Sequence, residues 1–286
     1  MNVIQIESLD DPAVADYRNL KDAALVRDRG LFMAESPLVV RRLLEQGRFA
    51  AKSIFLNASR LEALRPWLAP LVGDLPVHVA PQDVMDGVVG IHIHRGALAA
   101  GKREDDPGPG VLLGALPGDD APRRVLVLEG LTNHDNVGGA FRNAAGFGAD
   151  AVLLDPRCCD PLYRKAIRVS IGQTLVVPWS RGQSVAALTT ALRSHGFVVW
   201  ALTPSPGARN LSSLAGPGDA PPRVALLLGE EGPGLTADAI ARADEAVRID
   251  MAPGADSLNV ATAGAIAMHA IRAAQGAPVG RSPTGP

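Results

Sequence analysis

Between residues 124 and 275 the chain repeats one pattern: a short apolar run, a polar or glycine-rich turn, then a stretch of helical periodicity. The apolar runs fall at 125–128, 151–154, 174–177, 197–202, 224–228 and 246–249. Near-continuous apolar strands of this kind are buried on both faces, which happens in parallel sheets covered by helices. Helical stretches at 137–147, 163–169 and 184–194, and a last one from Ser257 or Asn259 to about residue 274, supply the covers. The expectation is therefore an α/β domain with a parallel sheet of about six strands. In such sheets ligands bind beyond the carboxyl ends of the strands. The turns that follow the strands are the place to look for function.

The first hundred residues alternate in the same way on a smaller scale. Helices are expected at 17–31, 38–46, 61–71 and 82–88, and strands at 53–56 and 77–79. Residues 32–36 read as a short strand or turn, Ser36-Pro37 as a helix N-cap with proline at the first helical position, and 91–94 as an edge strand. Residues 105–123 are dense in Pro, Gly and Asp, the composition of a linker. The Pro/Gly/Ser-rich end reads as a disordered tail. The expected organisation is thus 1–104, a linker at 105–123, a main domain at 124–275 and a tail at 276–286.

A net charge of −2 over 286 residues gives no global positive field, so any nucleic-acid contact has to rest on local patches. Arg27, Arg29, Arg41 and Arg42 form one such candidate patch. Glu7, Asp10, Asp11 and Asp16 interrupt the amino end and argue against a secretory segment. No apolar run is long enough to span a bilayer. Cys158 and Cys159 are adjacent, which disfavours a disulfide between them and makes no zinc site. His92 and His94, read on the edge strand, have no third metal ligand. The expectation is a cytoplasmic protein with reduced thiols, no metal and no membrane partner.

Three turns carry the chemistry. The first, 131–142, follows the first strand of the main domain and holds Asn136, Gly138, Gly139 and Arg142. Helix N-terminal N–H groups there attract anions. A dinucleotide fingerprint would need Gly-x-Gly-x-x-Gly, and Asn136-x-Gly138 stands instead. The second, Gly229-Glu230-Glu231-Gly232-Pro233-Gly234, lets backbone approach a ligand closely. The third runs from Ile249 through Ser257, Leu258 and Asn259.

Taken together in this order, the segments 136–142, 228–235 and 249–260 resemble the three motifs of the SpoU (TrmH) family, S-adenosylmethionine-dependent RNA ribose 2′-O-methyltransferases of the SPOUT superfamily. The resemblance covers 125–274, and 168–172 resembles a further family segment. The first hundred residues resemble, more loosely, a ribosomal-protein-like RNA-binding α/β domain. The resemblance implies a trefoil knot formed by the last helix, an exception to unknotted folds. It implies a homodimer in which first-motif residues face the partner's cofactor. It places S-adenosylmethionine among Leu202, Thr203, Leu228, Gly229, Ile249 and Leu258, and it makes Asn136, Arg142, Glu231, Ser257 and Asn259 the catalytic polar set. Arg168 joins Arg27, Arg29, Arg41 and Arg42 as RNA contacts. Asp250 stands where many members have proline, and Glu230 where a neutral residue is frequent. The implied substrate is RNA, ribosomal in preference to transfer RNA. A non-catalytic RNA-binding protein on this fold and a nucleotide-dependent enzyme with an unknotted fold remain as alternatives.

Overall fold

The computed structural model describes residues 1–18, 25, 29–118, 121–214, 216–255 and 257–276. They divide into two compact units, one of residues 1–105 with 160–176, the other of residues 106–159 with 177 onward.

The first unit holds a five-stranded sheet in the order β1-β4-β3-β5-β2, with β1 Asn2–Gln5, β2 Leu31–Glu35, β3 Ala51–Asn57, β4 Pro76–Ala80 and β5 Ala97–Lys102. Strands β1, β4 and β3 are parallel, while β5 runs antiparallel to both β3 and β2. Helices α1 Pro37–Gln46, α2 Ala58–Val72 and α3 Gln82–Val89 connect them. Ser36 caps α1 by accepting from the Val39 N–H, with Pro37 at the first turn, as the Ser-Pro pair indicates. Ile6, Val14, Tyr17, Met33, Phe55, Met85 and Val88 form a core beneath the sheet.

Four expectations for this unit change. The strand lies at 97–102 and not at 91–94. His92 is instead hydrogen-bonded to the Asp86 carboxylate at 2.5 Å, and Gly96, at φ 61, turns the chain into β5. A 3₁₀ turn over Pro12–Tyr17 ends where the helix expected at 17–31 was to begin; within that range Leu25 and Arg29 are helical, and most of the remainder lies outside the described residues. Residues 174–177 form no strand: Gln173–Leu175 is a 3₁₀ turn following the left-handed pair Ile171 and Gly172. Arg42, expected in the basic patch, donates from its guanidinium to the Ile171 carbonyl. The helix Arg164–Val169 belongs to this unit as well, with Arg164 3.7 Å from the Glu35 carboxylate.

The second unit is a seven-stranded, wholly parallel sheet in the order β10-β12-β9-β11-β6-β7-β8. Its strands are β6 Arg123–Leu128, β7 Ala151–Leu154, β8 Trp179–Arg181, β9 Val198–Leu202, β10 Arg209–Asn210, β11 Arg223–Leu228 and β12 Glu245–Arg248. The count exceeds six because two short strands that no sequence run announces, β8 and the two-residue β10, more than replace the run at 174–177. Residues 105–123 are not simply a linker. They contain the helix α4, Pro109–Gly114, whose Leu112 and Leu113 sit in the core of this unit. Asp106 fastens the segment further by accepting from the Arg181 N–H at 2.7 Å. The remaining helices are α5 His134–Phe147, α6 Val185–Ser194, α7 Ala237–Ala241 and α8 Val260–Ala274. Beyond residue 276 the expected tail lies outside the described residues. Among those described, no helix is long and apolar enough to cross a membrane.

Candidate functional site

With every strand of the second unit parallel, the turns after β9, β11, β12 and β6 emerge at one edge of the sheet, where those four strands are neighbours or next neighbours. A cavity of about 150 Å3 opens there. Leu202, Thr203 and Pro204 line it from the turn after β9, and Leu228, Gly229, Glu230, Glu231, Gly232 and Gly234 from the turn after β11. Ile249, Met251, Ser257 and Leu258 come from the turn after β12, and Val260 and Ala263 from α8.

The turn after β11 has this shape for steric reasons. It folds back on itself through an isolated bridge in which the Gly234 N–H donates to the Glu230 carbonyl at 2.9 Å. A Cβ on Gly229 would lie 2.1 Å from the Leu235 nitrogen, so only glycine fits. Gly232 and Gly234 then take the left-handed conformations, at φ 94 and 74, that close the loop.

One hydrogen-bonded chain ties the three motif segments together. Asn259 caps α8 through its Oδ1, accepting from Ala261 and Thr262. Its amide nitrogen donates to Asn136 Oδ1 at 2.9 Å. The Asn136 amide nitrogen in turn donates to Glu231 Oε2 at 2.9 Å. Asn136 is buried, and both ends of its amide are occupied, so its orientation is fixed by its partners. Helices α5 and α8 approach closely enough for this because Gly139 faces Ala261: a Cβ there would be 2.9 Å from the Ala261 Cβ. Asn143 reinforces the contact by donating to the Ala261 carbonyl at 2.7 Å.

A second cluster stabilises the turn after β7. The Asp155 carboxylate accepts from the N–H groups of Gly130 and Cys158 and from Arg157. Burial alone would raise its pKa, but these hydrogen bonds outweigh burial and hold the carboxyl below its ordinary value. Burial, with the nearby Asp155 charge, pushes the Cys158 thiol up to about 12. Neither Cys158 nor Cys159 forms a disulfide.

The six residues expected around the cofactor, Leu202, Thr203, Leu228, Gly229, Ile249 and Leu258, all line the cavity. Of the expected catalytic set, Glu231 and Ser257 line it, and Asn136 and Asn259 reach it through the hydrogen-bonded chain. Arg142 stands apart: it is exposed on α5, does not line the cavity, and makes no hydrogen bond or ion pair among the described residues. Pro204, Met251, Val260 and Ala263 were not foreseen, although their adjacency to the named positions and the i,i+3 spacing of the last two on α8 were available signals. Asp250 does not line the cavity. Its carboxylate receives Arg248 and Asn210, which joins the third turn to β10.

The basic residues lie in the first unit. Arg41 is exposed, paired with Glu45 and set 5.8 Å from the Trp67 ring. Arg168 is exposed on its short helix, Arg29 pairs with Asp16, Arg42 is committed to Ile171, and Arg27 lies outside the described residues.

The model of the SpoU rRNA methylase family matches residues 123–269, more than half of the chain and all three turns. The chain belongs to the SpoU rRNA methylase family. An uncharacterized tRNA/rRNA methyltransferase of Mycobacterium tuberculosis is 42% identical over 265 residues, covering 91% of this chain and 88% of the relative. A 23S rRNA (guanosine-2′-O-)-methyltransferase of Photobacterium profundum is 31% identical over 186 residues, 64% of this chain and 72% of that protein. Among solved structures, an AdoMet-bound rRNA methyltransferase from Sinorhizobium meliloti superposes with a TM-score of 0.76 at 23% identity, covering 94% of this chain and 97% of that one. At that identity the likeness establishes the α/β fold with its parallel sheet.

Proposed function

We propose that this SpoU-family protein transfers a methyl group from S-adenosylmethionine to a ribose 2′-hydroxyl of RNA, with ribosomal RNA the preferred substrate. The observation that carries the reading is the Asn259–Asn136–Glu231 chain at the mouth of a cavity built from all three motif turns. The relatives named for methylation of rRNA or tRNA support the substrate class, and the AdoMet-bound structural neighbour supports the cofactor.

The cavity suits that cofactor. Leu228, Ile249 and Leu258 offer apolar surface for an adenosine, and Glu230 and Glu231 bring two carboxylates to a ligand that carries sulfonium and ammonium charges. When bound, S-adenosylmethionine supplies a methyl group activated for in-line displacement. The protein's own contribution is positional and electrostatic. Asn136 and Asn259 fix Glu231 at the cavity, and Ser257 adds a hydroxyl beside it. Arg142, with a reference pKa for arginine of about 12.5–13.8, is a phosphate clamp and alkoxide stabiliser and not the proton acceptor; the target phosphate or water takes the proton.

The isolated position of Arg142 fits a homodimer in which it serves the partner's cavity. A trefoil knot through which α8 threads belongs to the same reading, as does RNA binding by Arg41 and Arg168 in the first unit and a cytoplasmic location. A tritiated-methyl assay with total ribosomal and transfer RNA, followed by mapping of the labelled ribose, tests the proposal. Label should pass to ribosomal RNA. Label confined to transfer RNA would reassign the substrate, and no label in either RNA would refute the activity.

A further inference from the structure

Glu129 is a buried carboxylate at the end of β6, in a position that no motif singles out. Its backbone N–H donates to the Leu228 carbonyl at 2.9 Å, which prolongs the β6–β11 ladder by one bond and fixes the residue beside the start of the turn after β11. Its side chain reaches the other end of the same turn. One oxygen accepts from the Thr236 N–H at 2.9 Å and the other from the Thr236 hydroxyl at 2.7 Å. The hydroxyl also accepts from the Ala239 N–H at 3.1 Å and so caps α7, which leaves Thr236 no rotational freedom. Arg157, 3.5 Å from the carboxylate, balances its charge.

We propose that Glu129 is the positioning residue for the turn that builds the cavity, gripping Leu228 just before it through the backbone and Thr236 just after it through the carboxylate. Gly229, Glu230 and Glu231 lie between those two grips. A loop held at both ends loses less conformational entropy on receiving a ligand than one held at one end, so affinity is gained without a contact. Thr236 presents two donors, and the Glu129 carboxylate accepts one on each oxygen. Glutamine keeps one oxygen for the Thr236 N–H and turns a neutral amide N–H towards the hydroxyl, so a charge-assisted hydrogen bond is lost.

The inference rests on the proposed cofactor, and its test separates the two. In the full-length protein, S-adenosylmethionine binding is measured by calorimetry, and amide hydrogen exchange is measured across residues 229–236, for wild type, Glu129→Gln, Thr236→Val and Thr236→Ser. Glu129→Gln and Thr236→Val should each weaken binding by about tenfold, the scale of one lost charged hydrogen bond. Both should accelerate exchange in 229–236 and leave the β6 and β11 amides protected. Thr236→Ser keeps both donors and should restore wild-type affinity and protection. The Glu129→Gln, Thr236→Val double variant should be no weaker than either single one. Thr236 is exposed, so its variants keep the test valid if Glu129→Gln misfolds. Wild-type affinity and protection in Thr236→Val would overturn the clamp alone. A wild-type protein that binds no S-adenosylmethionine would overturn the cofactor assignment and the clamp's role with it.

Discussion

Two glycines on one helix give the sharpest test of how the site is held. Gly139 and Gly146 both lie in α5. Replacing a helical glycine by alanine stabilises by about 0.8–1 kcal/mol where nothing interferes. Around Gly146 a new Cβ would meet nothing within 4 Å, so Gly146→Ala should gain that amount. At Gly139 the new methyl would stand 2.9 Å from the Ala261 Cβ, against an ordinary carbon–carbon contact of about 3.5–4.0 Å. Helices α5 and α8 would have to part by about 0.6–1 Å to accommodate it. Overpacking of this kind costs about 1–3 kcal/mol. The propensity gain is common to both variants, so their difference in unfolding free energy isolates the clash. Function should respond more sharply. The Asn259–Asn136 bond, 2.9 Å long, would lengthen to about 3.5–3.9 Å, outside the range of an N–H···O bond. Urea unfolding of the two variants and their methyl-transfer rates check the argument. Gly139→Ala should be the less stable by about 1–3 kcal/mol and should lose most of its turnover, while Gly146→Ala keeps it. Equal stabilities, or full activity in Gly139→Ala, would refute the claim that the helix approach sets the hydrogen-bonded chain.

Further expectations concern single groups. Arg142→Ala should abolish methyl transfer while calorimetry finds S-adenosylmethionine binding retained; near wild-type turnover would remove Arg142 from the mechanism. Glu231→Ala should lose far more activity than Glu230→Ala, because only Glu231 receives Asn136, and equal losses would count against that bond. Deleting 1–104 is a poor probe of RNA binding, since it strips residues 160–176 of their packing partners. The paired variant Arg41→Ala, Arg168→Ala should instead weaken RNA binding and flatten the slope of log affinity against log salt by about 1–2. An unchanged slope would show that neither residue meets a phosphate. Asp155, its carboxyl held below the ordinary 3.8, contributes stability that is present above that value and lost as pH falls through the lower folded-state pKa. Unfolding midpoints measured from pH 6 downward should therefore fall less steeply in Asp155→Asn than in wild type.

Sequence by itself determined the elements whose cause is local. Alternation of apolar runs with helical periods fixed the parallel sheet, because strands buried on both faces need helical covers. Glycines at 229, 232 and 234 marked a turn whose backbone no other residue allows. The resemblance of three segments to the SpoU family singled out Asn136, Glu231 and Asn259. Tertiary structure decided what depends on partners distant in the chain. Asn136 meets Glu231 across 95 residues and Asn259 across 123, and only the packing of α8 against α5 makes both contacts simultaneous. Residues 105–123 look like linker because they are dense in Pro, Gly and Asp, with 111–113 a short apolar patch open to reading as a strand, yet Leu112 and Leu113 find a core to enter and a helix forms. Residues 174–177 have the composition of a strand, but after the left-handed turn at Ile171 and Gly172 residues 174–176 belong to the first unit and no strand forms. Arg42 reads as part of a basic patch, and only the fold brings the Ile171 carbonyl within its reach. Local preference amounts to fractions of a kcal/mol per residue, and one buried contact across the chain is enough to override it.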